Sequence, residues 1–202
     1  MALSTYDEIK TAIIQWAERS DISSDLVDQF IYMTEADAYQ QLRVPAMEHQ
    51  ALLTVDQGRV VIPFDYLELR RLTWEGTNET VLEYLPWDQF VTINADPPST
   101  PMYFSRQGAN WFISGNPGDD QVILCHYYRY FDPLTADNTS TWLLALSPQT
   151  YLFGGLKYLY EYVMDQDRAA YWAAKFDKEL NKLQAIADLS EHRGTTLSVK
   201  SI

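Results

Sequence analysis

Three histidines and one cysteine are the side chains best able to start acid–base, nucleophilic or metal chemistry in this chain. His49, His126 and His192 lie far apart, and none falls in a metal-ligand spacing. His126 follows Cys125 in an apolar, strand-like run, and successive strand residues point to opposite faces, so the two do not form a nucleophile–base pair. Leu124 and Tyr127 predict a buried thiol there. A single cysteine also excludes an internal disulfide and a cysteine-based zinc cluster. The oxygen-rich run Gly115 to Asp120 suits Ca²⁺ in composition, but it lacks the ligand count of an EF-hand and reads as a loop between two β-type runs. The acid pairs Asp119/Asp120 and Asp165/Asp167 also fall in turns, where acids are common. No Gly-rich phosphate loop, G-x-S-x-G elbow or H-E-x-x-H motif occurs. The expectation is a protein without catalytic residues, metal or cofactor. An enzyme built on a carboxylate pair would rest on the abundance of acids alone.

The elements around these residues divide by period. The organising stretch is residues 147–189. Ser147-Pro148 predicts an N-cap followed by proline at the first helical position. Leu152, Gly155, Leu156, Leu159 and Val163 form one apolar stripe; Ala169, Trp172, Phe176, Leu180, Leu183 and Ala187 form another. The short break at Asp165-Gln166-Asp167 between them implies an antiparallel helical hairpin. Gly154-Gly155 and the alanines of the second helix suggest close approach of its two backbones. At the other end, Thr5 to Glu8 reads as a capping box opening a helix over residues 5–19. A second helix, capped by Ser23 or Ser24, runs to about Leu42 and is ended by Pro45. Its buried side is marked by Val27, Phe30, Ile31, Ala38 and Leu42.

Residues 50–135 change to short alternating runs. Leu52 to Val55 and Arg59 to Ile62 flank Asp56-Gln57-Gly58 as a hairpin, and further strands are expected over 67–74, 81–85, 102–105, 111–114 and 121–131. A short helical turn is expected at Pro86 to Phe90. The fold class is therefore α+β: a four-helix cluster of two N-terminal and two C-terminal helices, with an inserted antiparallel β unit and an extended C-terminal tail. The segments are an N-terminal helical pair (1–45), a β insertion (50–135), a C-terminal hairpin (147–189) and a flexible tail (190–202), all within one domain.

Composition bounds the partners. The chain has 202 residues, 47% of them hydrophobic and 21% charged, as expected for a folded protein. It lacks a basic-then-apolar leader pattern and a run long enough to span a membrane, so use in a reducing cytoplasm is expected. The net charge of −13 is placed unevenly: residues 1–150 hold 21 acids and 8 bases, residues 151–202 hold 7 of each. Such a surface does not grip a nucleic-acid backbone, which needs clustered Lys and Arg; on sequence alone it reads first as a solvated surface, and it also suits a wall past which DNA slides. The 14 tyrosines and 6 tryptophans fit either core or protein–protein contacts.

The order of segments carries a resemblance. Phe30-Ile31, Glu35-Ala36 and Leu42-Arg43-Val44-Pro45 precede Val61-Ile62-Pro63-Phe64-Asp65-Tyr66-Leu67. Pro101 to Phe104, Trp111 to Pro117, Tyr127-Tyr128-Arg129-Tyr130, Ser147-Pro148 and Tyr151 to Leu156 follow. Over roughly residues 5–188 this succession resembles the head-to-tail adaptor proteins of tailed bacteriophages, which share a long C-terminal helix pair and a β insertion. The resemblance implies a virion neck protein made in the host cytoplasm. It implies a ring of about twelve copies between the portal and the tail nozzle or tail tube, with DNA passing through its channel without sequence-specific binding. It also implies a C-terminal tail that orders on the portal, which makes His192, Arg193, Thr195, Leu197, Val199 and Ile202 the portal-contact candidates. Tyr151, Tyr158, Tyr162 and Trp172 are the subunit-contact candidates. Two rivals stand beside it: another phage neck or tail-completion protein, and a non-catalytic carbohydrate- or peptide-binding module with Trp74, Tyr84, Trp87, Trp111 and Tyr128 as stacking planes.

Overall fold

A computed structural model describes residues 3–76, 79–96, 98–115 and 117–192, with Glu191 and His192 described by backbone alone. The chain is mixed helix and strand, and it divides into two compact units. Residues 1–46 and 131–202 make the helical unit; residues 47–130 make the β unit.

The helical unit contains α1 (Tyr6–Ala17), α2 (Ser24–Gln41), α4 (Trp142–Leu146), α5 (Pro148–Tyr162) and α6 (Gln166–His192). The capping box forms as its sequence dictates: Glu8 N–H donates to the Thr5 hydroxyl, and the Glu8 carboxylate accepts from Thr5 N–H. Ser23 caps α2 by accepting from Leu26 N–H. Ser147 ends α4 and precedes α5, but its hydroxyl accepts from the Thr150 hydroxyl rather than from a backbone N–H. The short α4 had no apolar period to announce it; Thr141 caps it by accepting from Leu144 N–H.

Helix α5 is the centre of this unit and is apolar almost all round, burying Leu152, Leu156 and Leu159. It packs on α1, α2, α4 and α6. Its paired glycines do not serve the α5–α6 contact expected of them. A Cβ on Gly154 would stand 2.3 Å from Thr34 of α2, and one on Gly155 would stand 2.4 Å from Ile13 of α1. They let the N-terminal helices sit against α5. The α5–α6 turn closes with Met164 in the left-handed region (φ 60°): Asp165 N–H donates to Tyr160 O, and Met164 N–H to Glu161 O. Asp165 then accepts from Arg168 N–H and starts α6. At 27 residues α6 is about 40 Å long, well beyond α5, and it continues past Leu189, the expected end of the hairpin.

The β unit is a two-sheet sandwich containing β1 (Glu48–Thr54), β2 (Arg59–Val61), β3 (Tyr66–Trp74), β4 (Thr80–Val81), β5 (Glu83–Tyr84), α3 (Trp87–Asn94), β6 (Tyr103–Gln107), β7 (Asn110–Ile113) and β8 (Val122–Arg129). One sheet has the order β1-β8-β3-β4, the other β2-β7-β6-β5. The expected hairpin around Asp56-Gln57-Gly58 forms only at its tip, where Asp56 and Arg59 exchange both backbone hydrogen bonds across Gln57 and Gly58 at positive φ; beyond it β1 pairs with β8 and β2 with β7. Val55 and Val60 both enter the core between the sheets, so the turn is a corner. The loop 115–120 likewise links two sheets and is not a hairpin. The expected all-antiparallel pairing is broken once, because α3 acts as a crossover that brings β6 parallel to β5. Trp111, Ile113, Leu72, Ile123, Cys125 and Tyr127 lie in the core.

Candidate interaction surface

The residues singled out for chemistry are spread out. Cys125 is fully buried, and burial pushes its thiol up to about 12, which removes its nucleophilic form at neutral pH. His126 faces the other side of β8, where its Nδ1 lies 3.3 Å from the Gln50 side-chain nitrogen. A shallow hollow of about 380 Å³ on this face is lined by Glu48, His49, Gln50, Arg70 and His126. Arg70 there is ion-paired with Glu48 and lies over the Tyr128 ring. Asp119, in the candidate cation loop, accepts from Gln57 N–H at 2.8 Å and so fixes the corner. Among the described residues no group of three His, Cys, Asp or Glu side chains is placed to hold a metal ion.

The stacking platform is also corrected. Trp74, Trp111 and Tyr128 are buried in the β unit, so they offer no face to a sugar ring; Tyr84 alone of the five is largely exposed. Tyr103 and its neighbours are held by strand pairing, with Ser114 Oγ accepting from Tyr103 N–H.

In the helical unit, two acids that the sequence reading passed over tie α2 to α5. Glu35 is 1% exposed; its Oε1 accepts from Leu134 N–H at 2.9 Å and from the Tyr151 hydroxyl at 2.7 Å. The Tyr151 hydroxyl also bonds Thr141 Oγ1 at 2.9 Å, so one network joins α2, α5, the α4 cap and the segment before α4. Burial raises the Glu35 carboxyl to about 7, against two hydrogen bonds that lower it. Two residues on, Asp37 accepts from Lys157 at 2.7 Å and from the Tyr158 hydroxyl at 2.6 Å. Burial, and then the bond to Asp37, raises the Tyr158 hydroxyl. Glu35 was legible in principle: it stands four residues after Ile31 and three before Ala38, inside an apolar stripe.

This network removes Tyr151 from the subunit-contact candidates, since it is 0% exposed and spent inside its own protomer. Tyr158 is partly buried against Asp37. Tyr162 is largely exposed and touches the Phe30 ring. Trp172 is the hub of a cluster with Trp16 (5.9 Å between centroids), Phe153 (5.6 Å) and Tyr171 (5.0 Å). Trp16 and Tyr171 are each 55% exposed, so the cluster reaches the surface as an aromatic patch joining α1, α5 and α6. Of the portal-contact candidates, His192 is the last residue of α6; Arg193, Thr195, Leu197, Val199 and Ile202 lie outside the described residues.

No described helix is long and apolar enough to cross a membrane. A search of curated proteins found no match. A family model described as SU10 adaptor protein matches residues 4–199, nearly the whole chain. The chain belongs to this phage head-to-tail adaptor family.

Proposed function

We propose that this adaptor forms a ring, of about twelve copies, between the portal and the tail nozzle or tail tube of a phage virion, and that DNA leaves the capsid through its channel. The family match over residues 4–199 carries this reading. Helices of neighbouring copies pack side by side, with Tyr158, Tyr162 and Trp172 at or beside the contact. The segment from His192 through Arg193, Thr195, Leu197 and Val199 to Ile202 docks on the portal, and many copies acting together give avidity to a weak single contact. Twelve chains of −13 sum to about −156, a charge that repels phosphate wherever it lines the channel.

Mixing the purified full chain with the portal ring of the same virus tests the proposal. A complex is expected whose mass grows by about twelve chains, and a chain ending at Leu189 is expected to stay unbound. A portal that gains no mass, virions that attach tails normally without the protein, or turnover of a small substrate by the purified chain would overturn it.

A further inference from the structure

Helix α6 buries one stripe, Ala169, Phe176, Leu180, Leu183 and Ala187, and packs chiefly on α5. A second stripe faces solvent. Arg168, Lys175, Lys178 and Lys182 follow at steps of seven, three and four residues and so share one side of the helix. They are four of the 15 Lys and Arg in a chain of net charge −13. Apolar side chains extend this stripe: exposed Tyr171 lies between Arg168 and Lys175, with the Lys175 ammonium 5.5 Å from its ring, and exposed Ile186 and Leu189 follow Lys182. Arg168 and Lys182 have carboxylate neighbours on their own helix, in Asp165 and Glu179. Lys175 and Lys178 have no such partner among the described residues.

The α1–α2 pair has the opposite character. Asp7, Asp21 and Asp25 are exposed there, Asp28 is held between the two helices by Lys10 and the Tyr6 hydroxyl, and Arg19 is already engaged by Asp21; Glu18, just past the end of α1, lies instead near Arg168 of α6 in the same protomer. The two faces meet at one end, where Trp16 touches Trp172 and Glu18 lies near Arg168, but they pack on different sides of α5. Gly154 and Gly155 meet α2 and α1, whereas Phe153 and Tyr160, roughly opposite at 3.6 residues per turn, meet Trp172 and Arg168 of α6. Unlike, complementary faces on different helices of one unit make a head-to-tail contact, which closes into a ring when the rotation allows.

We infer that the basic outer face of α6 docks on the acidic α1–α2 face of a second copy. The inference rests on the ring proposed above and names which faces make it. Single exposed ion pairs contribute little, so charge chooses the partner and speeds the encounter, while Tyr171, Ile186 and Leu189 supply the buried contact.

Two full-length variants test it: K175E/K178E makes the α6 face acidic, and D7K/D25K makes the α1–α2 face basic. Both change exposed side chains, and thermal melting checks their folding. Sedimentation at high protein concentration and loading onto the portal ring are both measured. Each variant alone is expected to lose self-association and load less than a tenth of the wild-type mass. An equal mixture is expected to recover at least half, because reversed and native faces then alternate around an even-numbered ring. Wild-type association is expected to weaken as salt rises. Either variant assembling alone like the wild type, or a mixture that recovers nothing, overturns this inference and leaves the ring standing. A wild type that loads no portal refutes the ring; if its copies, and the mixture, also stay monomeric in sedimentation, the face pairing falls with it.

Discussion

Replacing Glu35 by glutamine separates two jobs that the buried carboxyl performs. It accepts hydrogen bonds from Leu134 N–H and the Tyr151 hydroxyl, which a glutamine oxygen can also do, and it carries a titratable proton, which glutamine cannot. Burial lifts its pKa from 4.5 to about 7. Between those values the folded chain holds a proton that the unfolded chain has released. The contribution of Glu35 to stability is therefore fully present below about pH 4.5, is lost as pH rises through about 7, and changes little above that. At 1.36 kcal/mol per unit, the loss is roughly 3 kcal/mol. The amide of Glu35→Gln carries its own burial cost, but that cost does not vary with pH. The difference between the two proteins is thus the diagnostic quantity. Urea unfolding followed by far-UV circular dichroism at pH 5, 6, 7 and 8 should show the gap moving by about 2.5 kcal/mol in favour of the variant across that range. Parallel stability curves would refute the reasoning, and a gap moving the other way would mean that the carboxylate is stabilised as an anion.

The α5 glycines should differ in their tolerance. Gly154→Ala forces its Cβ into Thr34, whose hydroxyl is committed to Phe30 O, and is expected to cost about 2 kcal/mol in urea unfolding; Gly155→Ala meets Ile13 most closely at Cδ1, which can turn aside, and should cost less. Met164→Gly relieves a left-handed residue at the α5–α6 turn and should raise stability by about 0.5–1 kcal/mol in the same assay. Phe64 is fully exposed between β2 and β3, so Phe64→Ser should shift stability by less than about 0.5 kcal/mol. The same substitution is expected to weaken assembly in a portal-loading assay if the β unit buries this ring on a partner.

Local chemistry made the helices readable and left the sheets ambiguous. Thr5 with Glu8, and Ser23, announce helix starts because a cap is satisfied within three residues. The stripes of α5 and α6 are equally local. Asp56-Gln57-Gly58 announces a turn with the same reliability, but which strand a strand pairs with is decided far away: Thr54 lies opposite Val122, and Val61 opposite Asn110. A turn at a sheet corner and a turn in a hairpin have the same residues. Tyr151 is misplaced among the contact candidates for a related reason. Periodicity put Tyr151 on a helix, but only the buried Glu35 of another helix explains why its hydroxyl points inward. The signal for that was a glutamate inside an apolar stripe, which reads as an ordinary solvated acid unless its position on the helix is counted.

The two acids that tie α2 to α5 explain more than stability. Apolar packing of α2 on α5 fixes their alignment only through shape, as where Thr34 fills the notch at Gly154, since Leu, Ile and Phe side chains are not directional. Glu35 with Tyr151 and Asp37 with Lys157 and Tyr158 favour one alignment, because any slip strands the buried Glu35 carboxyl and the half-buried Asp37 without their donors. For a monomer that specificity would matter little. In a ring it matters greatly, because each copy must present its two faces at the same angle, and an error repeated at every contact turns a closed ring into an open helix. On this argument Asp37→Asn should lower the stability of the isolated chain by only 1–2 kcal/mol, since the helices stay packed, while broadening the distribution of copies loaded per portal. Native mass spectrometry of portal complexes reads that distribution directly. A variant that loses this stability yet loads a single sharp copy number would show that apolar packing alone holds the angle.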